Sequence, residues 1–193
     1  MGIHATIHAA TLLVTAAVTS SAYSQDLSPP DESRFGYGNY ADRMEIRLGV
    51  LAYDRGFFSH TDYDGVMING ELVFRSPEFL DFLFAPRPYL GFDIALSDDP
   101  VHFFYTGLTW DFNITHRFYI SGSLGGAIHT DDLMKPVGKS LGTRALFHLG
   151  LGLGFDVTEN WTIQAYLDHF SNANLGPTNE GFENTGLRVG YRF

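Results

Sequence analysis

Apolar and polar residues alternate along most of the chain after residue 40. In residues 142–157, large apolar side chains occupy the odd positions from Phe147 to Phe155, and a histidine, three glycines and an aspartate occupy the even ones. A period of two predicts β-strands with one apolar and one polar or small face. Eight such segments follow one another: residues 40–54, 63–76, 87–97, 101–113, 117–129, 142–157, 161–171 and 183–193.

Strands of this kind, separated by turn residues, are typical of a transmembrane β-barrel with an outward apolar face. In residues 40–54, the apolar set from Met44 to Ala52 is therefore expected to meet lipid. Arg144 and His148 are expected to face the interior. A barrel of about eight strands is filled by its own side chains, which argues against a porin-like channel. The prediction is an all-β fold, an eight-stranded antiparallel transmembrane β-barrel.

The lengths of the connections predict which end of the barrel lies in the periplasm. Outer-membrane barrels have short periplasmic turns and longer outer loops. Residues 115–116 and 158–160 are short turns, whereas 130–141 and 172–182 are longer and rich in Gly, Pro, Asn and Asp. Both chain termini are thus expected in the periplasm. Trp110, Tyr119 and Trp161 are expected in the aromatic girdle at that interface.

The N-terminal residues are typical of an export signal. Residues 1–24 contain a short apolar run without an acid, and small residues allow cleavage after Ala22 or Ser24. Residues 25–39 are rich in Pro, Ser, Gly and Asp and predict an irregular periplasmic lead-in, so residues 40–193 are the predicted barrel domain. The last strand ends on an apolar stripe with a terminal Phe193, which resembles the assembly signal of outer-membrane proteins. The expected location is the bacterial outer membrane.

Composition excludes several classes of function. The chain of 193 residues has no Cys and a formal net charge of −10. Nucleic acid is not an expected partner, because phosphate binding favours a basic surface. No calcium loop or zinc spacing is found, and Asp131-Asp132 is better explained as a solvated loop tip. We therefore expect no metal and no cofactor.

Three polar residues share a face that is otherwise apolar. The odd positions of residues 161–171 are the apolar set, and the same parity includes His169 and Ser171. In residues 183–193 that parity includes Glu183. Neighbouring antiparallel strands bring these three side chains to one membrane-facing patch. A hydroxyl, an imidazole and an acid are the groups that nucleophilic acyl transfer requires.

The ordinary alternative is that a His beside a Ser at a barrel rim merely suits the interface. Three such residues on a lipid-facing surface favour the functional interpretation, because polar groups there are costly. Glu180 is a competing acid but falls in the predicted loop, and Asp168 has interior parity. Structural roles are expected for the other candidate histidines, which are His60, His116, His129 and His148.

The same residues resemble a known family. The run His169-Phe170-Ser171-Asn172-Ala173, an Asn-Glu-Gly step from Asn179 to Gly181, and a Glu twelve positions after Ser171 are similar to the lipid A 3-O-deacylase (PagL) family. The resemblance implies a triad of His169, Ser171 and Glu183, with Asn172 and Asn179 at the oxyanion or substrate site. Backbone N–H groups of residues 172–175 are expected to stabilise the oxyanion. Asn174 stands where the family is expected to have a small residue.

The function implied by the resemblance is hydrolysis of the 3-O-linked acyl chain of lipid A by an outer-membrane serine esterase. The active site would face the outer leaflet, and the partners would be lipopolysaccharide and membrane lipid, with a homodimer left open. The alternatives are a lipid A palmitoyltransferase or a phospholipase-type barrel, and a non-enzymatic structural or adhesive barrel. A palmitoyltransferase would need an interior pocket for the donor chain. An adhesive barrel would be expected to have long apolar or repetitive outer loops.

Overall fold

A computed structural model of the protein describes residues 35–57, 65–133 and 139–193. The predicted signal peptide (1–24) and the predicted lead-in as far as residue 34 lie outside the described residues. Within those ranges the elements are β1 (Gly36–Tyr37), β2 (Glu45–Ala52), β3 (Val66–Val73), a 3-10 helix (Glu78–Leu83), β4 (Arg87–Leu96), β5 (Phe103–Asn113), β6 (Phe118–His129), β7 (Ala145–Asp156), β8 (Trp161–Ser171) and β9 (Phe182–Arg192). In this part of the chain, no helix is long and apolar enough to cross a membrane.

Strands β2 to β9 form a closed antiparallel barrel. Each strand pairs with the next along the chain, and β2 pairs with β9 from Glu45↔Arg192 to Ala52↔Thr185. Because the barrel is closed, β2 to β9 are each paired on both sides. A membrane barrel requires this, since lipid offers no partners for backbone groups. The two residues of β1 add a short pairing at the end of β5. The predicted eight-stranded barrel is confirmed, and β8 has the predicted bounds.

The alternation of faces follows the sequence pattern. On β2 the side chains of Ile46, Leu48 and Val50 are exposed, by 45%, 60% and 50%. On β7, Leu149, Leu151 and Leu153 are likewise exposed. His148, with the opposite parity, is fully buried in the interior. The outer surface of the barrel is thus an apolar belt, and its interior holds buried polar, charged and aromatic side chains.

Two predictions about individual side chains were wrong. Arg144 does not face the interior: it precedes β7, is exposed, and donates through Nη1 to the carbonyls of His129 and Asp131. Strand parity no longer applies there, because the strand begins only at Ala145. Tyr119 does not lie in the girdle: it is buried inside the barrel, where its hydroxyl bonds Thr162 Oγ1. On β6 the odd-numbered residues face the interior, and Tyr119 is one of them.

A charge placed on the belt tests the face assignment. Leu151→Arg, in the middle of β7, is expected to lower the free energy of unfolding in lipid vesicles by about 2–4 kcal/mol, because a cation at mid-membrane is poorly solvated. Val157→Arg, at the end of the same face, is the matched control and should cost only about 0–1 kcal/mol. Urea titrations followed by Trp fluorescence give both values. Equal effects in the two variants would mean that β7 is assigned to the wrong faces.

The interior has two layers. Near the ends where β2 begins and β9 finishes, buried arginines pair with buried carboxylates: Arg47, Arg87 and Arg192 with Glu45, Glu71, Asp111 and Asp156. At the opposite end, which we call the rim, the layer is aromatic. The Phe103 and Phe170 rings stack with centroids 4.1 Å apart, and Phe182 lies 5.0 Å from Tyr53. Because Phe170 and Phe182 are cross-strand partners, this layer supports β8 and β9 where they meet the rim.

The connections at the end opposite the rim are not all short. The turns at residues 114–117 and 157–160 are short, as expected. The connection between β3 and β4, residues 74–86, contains the 3-10 helix with exposed Phe79 and Phe82. Trp110 Nε1 donates to the carbonyl of Leu83 at 2.8 Å, which ties this connection to the belt.

Candidate active site

A histidine and a glutamate form a hydrogen-bonded pair on the outer face of the rim. His169 of β8 lies directly opposite Glu183 of β9 in the antiparallel register. The distance from His169 Nδ1 to Glu183 Oε1 is 3.0 Å. The His169 side chain is 25% exposed and that of Glu183 is 2% exposed. Nδ1 therefore carries the proton shared with the carboxylate, and Nε2 is left for another partner.

Ser171 lies two residues beyond His169 on the same strand. Alternation along β8 gives the two side chains the same outward face. Ser171 is half-buried, and its cross-strand partner on β7 is Phe147. Among the described residues, Ser171 Oγ makes no hydrogen bond. Contacts between a nucleophile and its base are often loose in the absence of substrate, so the placement is compatible with proton transfer.

A tight turn follows Ser171. The N–H of Leu175 donates to the carbonyl of Asn172 at 3.0 Å, and φ is 52° at Ala173 and 62° at Asn174. Positive φ at both central residues is the geometry of a type I′ turn. Asn tolerates this conformation well and Ala does so less, so the turn stores strain beside Ser171.

The two predicted oxyanion residues, Asn172 and Asn179, shape this turn. The Asn172 backbone N–H donates to Asn179 Oδ1 at 2.9 Å, and its side chain donates to the carbonyls of Leu141 and Thr178. The N–H groups of Asn172 and Leu175 are thus engaged. In the segment 172–175, those of Ala173 and Asn174 have no backbone or side-chain partner within the described ranges. They are the donors that an oxyanion could use.

The carboxylate of Glu183 is covered by the segment that follows β2. A Cβ added at Gly56 would collide with Glu183 Oε2, so the Gly56 backbone lies directly over the acid. Two residues earlier, Asp54 Oδ1 accepts from the Glu183 backbone N–H at 3.3 Å and from Lys139 Nζ at 2.6 Å. The sequence pattern did not identify Gly56, Asp54 or Lys139. Gly56 and Lys139 lie in predicted connections, and Asp54 is the last residue of the first predicted strand segment, so none of them was marked as a site residue.

The competing residues are placed elsewhere. Glu180 is exposed in the connection before β9 and accepts from the backbone N–H of Ser140. Asp168 faces the interior, where it accepts from Asn184. His148 is buried against Tyr89, and His129 bonds the carbonyl of Thr143.

His116 is in a turn, and His60 lies outside the described residues. Within the part of the chain that is described, no group of three or more His, Cys, Asp or Glu residues is arranged to hold a metal ion.

A closed eight-stranded antiparallel barrel with an apolar outer belt and a polar filled interior defines an outer-membrane β-barrel. The site adds a paired imidazole and carboxylate beside a hydroxyl on its lipid-facing surface. The family model described as lipid A 3-O-deacylase (PagL) matches residues 102–192, which contain β5 to β9 and the whole His-Ser-Glu constellation. The resemblance to the PagL family is therefore confirmed over this C-terminal part of the chain.

Solved structures agree with this fold. The crystal structure of the outer membrane enzyme PagL superimposes with a TM-score of 0.58 at 16% identity, covering 76% of this chain and 98% of that one. The N-terminal β-barrel domain of Pseudomonas aeruginosa OprF gives a TM-score of 0.51 at 17% identity, covering 79% and 98%. A search of curated protein sequences found no match. The barrel fold, with the partial match to the family model, indicates a protein of the bacterial outer membrane.

Proposed function

We propose that this protein is an outer-membrane serine esterase that hydrolyses the 3-O-linked acyl chain of lipid A. The observation that carries the proposal is the 3.0 Å hydrogen bond between His169 and Glu183 on the same lipid-facing patch as Ser171. A hydrophilic pair of this kind is costly on a lipid-facing surface. Its presence there therefore favours a functional role. The family match supplies the substrate class, lipid A.

The proposed reaction follows from the roles that these groups take in acyl transfer. Ser171 Oγ attacks the ester carbonyl while His169 Nε2 removes its proton, and Glu183 holds the Nδ1 proton and stabilises the imidazolium. The N–H groups of Ala173 and Asn174 stabilise the negative charge that develops on the carbonyl oxygen. His169 returns its proton to the leaving 3-hydroxyl of the sugar. Water then attacks the acyl-enzyme with His169 again as the base, and releases the fatty acid.

The lipid-facing position of the site favours a substrate that already lies in the membrane. A chain embedded in the leaflet reaches Ser171 by lateral diffusion, without leaving the bilayer. The loop lengths favour a topology in which the rim, and with it the site, lies in the outer leaflet, where lipid A is found. In that topology, an ester near the polar boundary of the leaflet would lie level with Ser171.

The alternative acyl-transfer functions differ in what they require of the barrel. A palmitoyltransferase with an interior donor pocket would need space beneath the rim, where Phe103, Phe170 and Phe182 are fully buried and in ring contact. This packing argues against an interior pocket there. A phospholipase would use the same triad on a different ester, and only a product analysis separates it from a deacylase.

Mass spectrometry of lipid A tests the proposal. Expression of the full chain in a bacterium with fully acylated lipid A should convert a fraction of it to a species lighter by the 3-linked acyl chain, with release of the matching free hydroxy fatty acid. Ser171→Ala, expressed to the same level in the outer membrane, is the control and should leave lipid A unchanged. A heavier lipid A would indicate acyl transfer, and lysophospholipid without deacylated lipid A would indicate a phospholipase. Either result would overturn the proposal.

A further inference from the structure

A buried lysine, Lys139, bonds one side chain and one backbone carbonyl close to the His169–Glu183 pair. Lys139 Nζ donates to Asp54 Oδ1 at 2.6 Å and to the carbonyl of Gly181 at 2.9 Å, and Lys139 is only 5% exposed. A buried ammonium is unfavourable unless it is paired with an opposite charge and fully hydrogen-bonded. Two of its partners come from other connections: Asp54 follows β2, and Gly181 precedes β9. One side chain thus ties three connections of the rim together.

Asp54 links this lysine to Glu183. Asp54 Oδ1 also accepts from the Glu183 backbone N–H at 3.3 Å, and the Asp54 N–H donates to Asn184 Oδ1 at 3.1 Å. These reciprocal bonds fix the first residues of β9 against the segment after β2. They hold that segment so that Gly56 covers the Glu183 carboxylate. Displacing Asp54 would therefore both release the backbone of Glu183 and uncover its side chain.

Gly181 links the same lysine to His169. A Cβ added at Gly181 would lie 3.2 Å from His169 Cε1, so the glycine backbone packs against the edge of the imidazole ring. Gly181 has a φ of 66°, a left-handed conformation that glycine adopts without strain. The hydrogen bond from Lys139 to its carbonyl sets where this backbone lies. The ring is thereby contacted along its Cε1–Nε2 edge, while Nδ1 bonds the carboxylate.

We propose that Lys139 and Asp54 are positioning residues that act as a clamp on the His169–Glu183 pair. The clamp acts through the backbone of Gly181 and Glu183 and keeps the imidazole and the carboxylate in hydrogen-bonding geometry. This inference rests on the proposed function, because the clamp affects turnover only if His169 is the base. It predicts a loss in kcat with little change in KM, since the lipid-facing surface that would bind the acyl chain is untouched.

Kinetics of the purified full-length protein with lipid A in mixed micelles test the clamp. Lys139→Met keeps the length of the side chain and removes its charge, and it should lower kcat on the order of 10²-fold, the cost of a small misplacement of reacting groups. Lys139→Arg keeps the charge and should recover most of that loss. Arg144→Met is the matched control and should retain wild-type kcat. Arg144 is a cation of the same connection, and among the described residues it bonds only the carbonyls of His129 and Asp131.

Asp54→Asn tests the clamp from the other member of the Lys139–Asp54 pair. It keeps an oxygen for the Glu183 N–H but leaves the Lys139 ammonium without its counter-charge, so kcat should again fall. In the double variant Lys139→Met/Asp54→Asn, the loss should be smaller than the product of the two single losses, because both act through one contact. Heat-modifiable migration on gels shows whether Lys139→Met folds. If it does not, the clamp is tested by the other two variants: kcat should fall in Asp54→Asn and stay near wild type in Lys139→Arg.

A readout that is independent of turnover separates the clamp from the proposed function. In ¹⁵N NMR spectra of histidine-labelled protein, the His169 Nδ1 signal, assigned with His169→Asn, should show a hydrogen-bonded proton in the wild type and in Arg144→Met. It should lose this signature in Lys139→Met. An unchanged signal, an unchanged kcat, or a change confined to KM would overturn the clamp. A wild type inactive on lipid A, with the NMR change present, would instead reject the proposed function.

Discussion

Ser171→Ala and His169→Asn should each abolish the release of the 3-linked acyl chain while leaving a folded barrel. Ser171 would supply the nucleophile and His169 the base, so either loss removes the covalent step itself. Residues of a triad act as a unit, and each single loss should reduce kcat by several powers of ten, on the order of 10⁶-fold, with the double variant little worse. Initial rates of fatty acid release from purified lipid A measure these effects.

The barrel should tolerate both substitutions. The two side chains lie on the outer face at the rim, whereas the ladder bonds of β8 with β7 and β9 are made by its backbone. Heat-modifiable migration on gels and an unchanged unfolding midpoint in urea would establish that the variants are folded. Full activity of Ser171→Ala would mean that another residue is the nucleophile. Additive losses in the double variant would mean that Ser171 and His169 do not act as a unit.

The barrel and its faces could be predicted from the sequence because strand parity is a local property. A strand alternates faces every residue, so the run from Phe147 to Phe155 fixes the lipid-facing side of β7 without knowledge of its neighbours. The same parity placed His169, Ser171 and Glu183 on one face. Parity failed at Arg144, where the strand has not begun. The prediction for Tyr119 was wrong for a different reason: it followed the preference of tyrosine for a membrane interface, although residue 119 has interior parity.

The surroundings of the candidate pair could not be predicted in this way. Gly56, Asp54 and Lys139 come from connections whose conformation depends on contacts between distant parts of the chain. Nothing in the sequence indicates that the lysine at 139 is buried or that the glycine at 56 lies over an acid. The turn after Ser171 is an intermediate case: its Gly, Asn and Pro content predicted a loop, but not that Asn179 engages the N–H of Asn172.

The identity of the acid gives the second large expected effect. Glu183→Gln keeps the shape that packs beneath Gly56 and removes the negative charge opposite His169 Nδ1. The imidazole then loses both the partner that fixes its tautomer and the charge that stabilises the imidazolium, and kcat should fall on the order of 10⁴-fold. Glu180→Gln is the matched control: Glu180 is exposed and bonds only the Ser140 backbone among the described contacts, so kcat should stay within a few-fold of wild type.

Glu183→Gln and Glu180→Gln can be compared directly, because the two glutamates lie three residues apart and bond different partners. Glu183 contacts the ring nitrogen at 3.0 Å, whereas Glu180 contacts a backbone N–H of the neighbouring connection. If Glu180→Gln were the inactive variant and Glu183→Gln remained active, the acid would be assigned to the wrong residue. Loss of activity in both would indicate that the connection before β9 must keep its charge and conformation as a whole for the site to form.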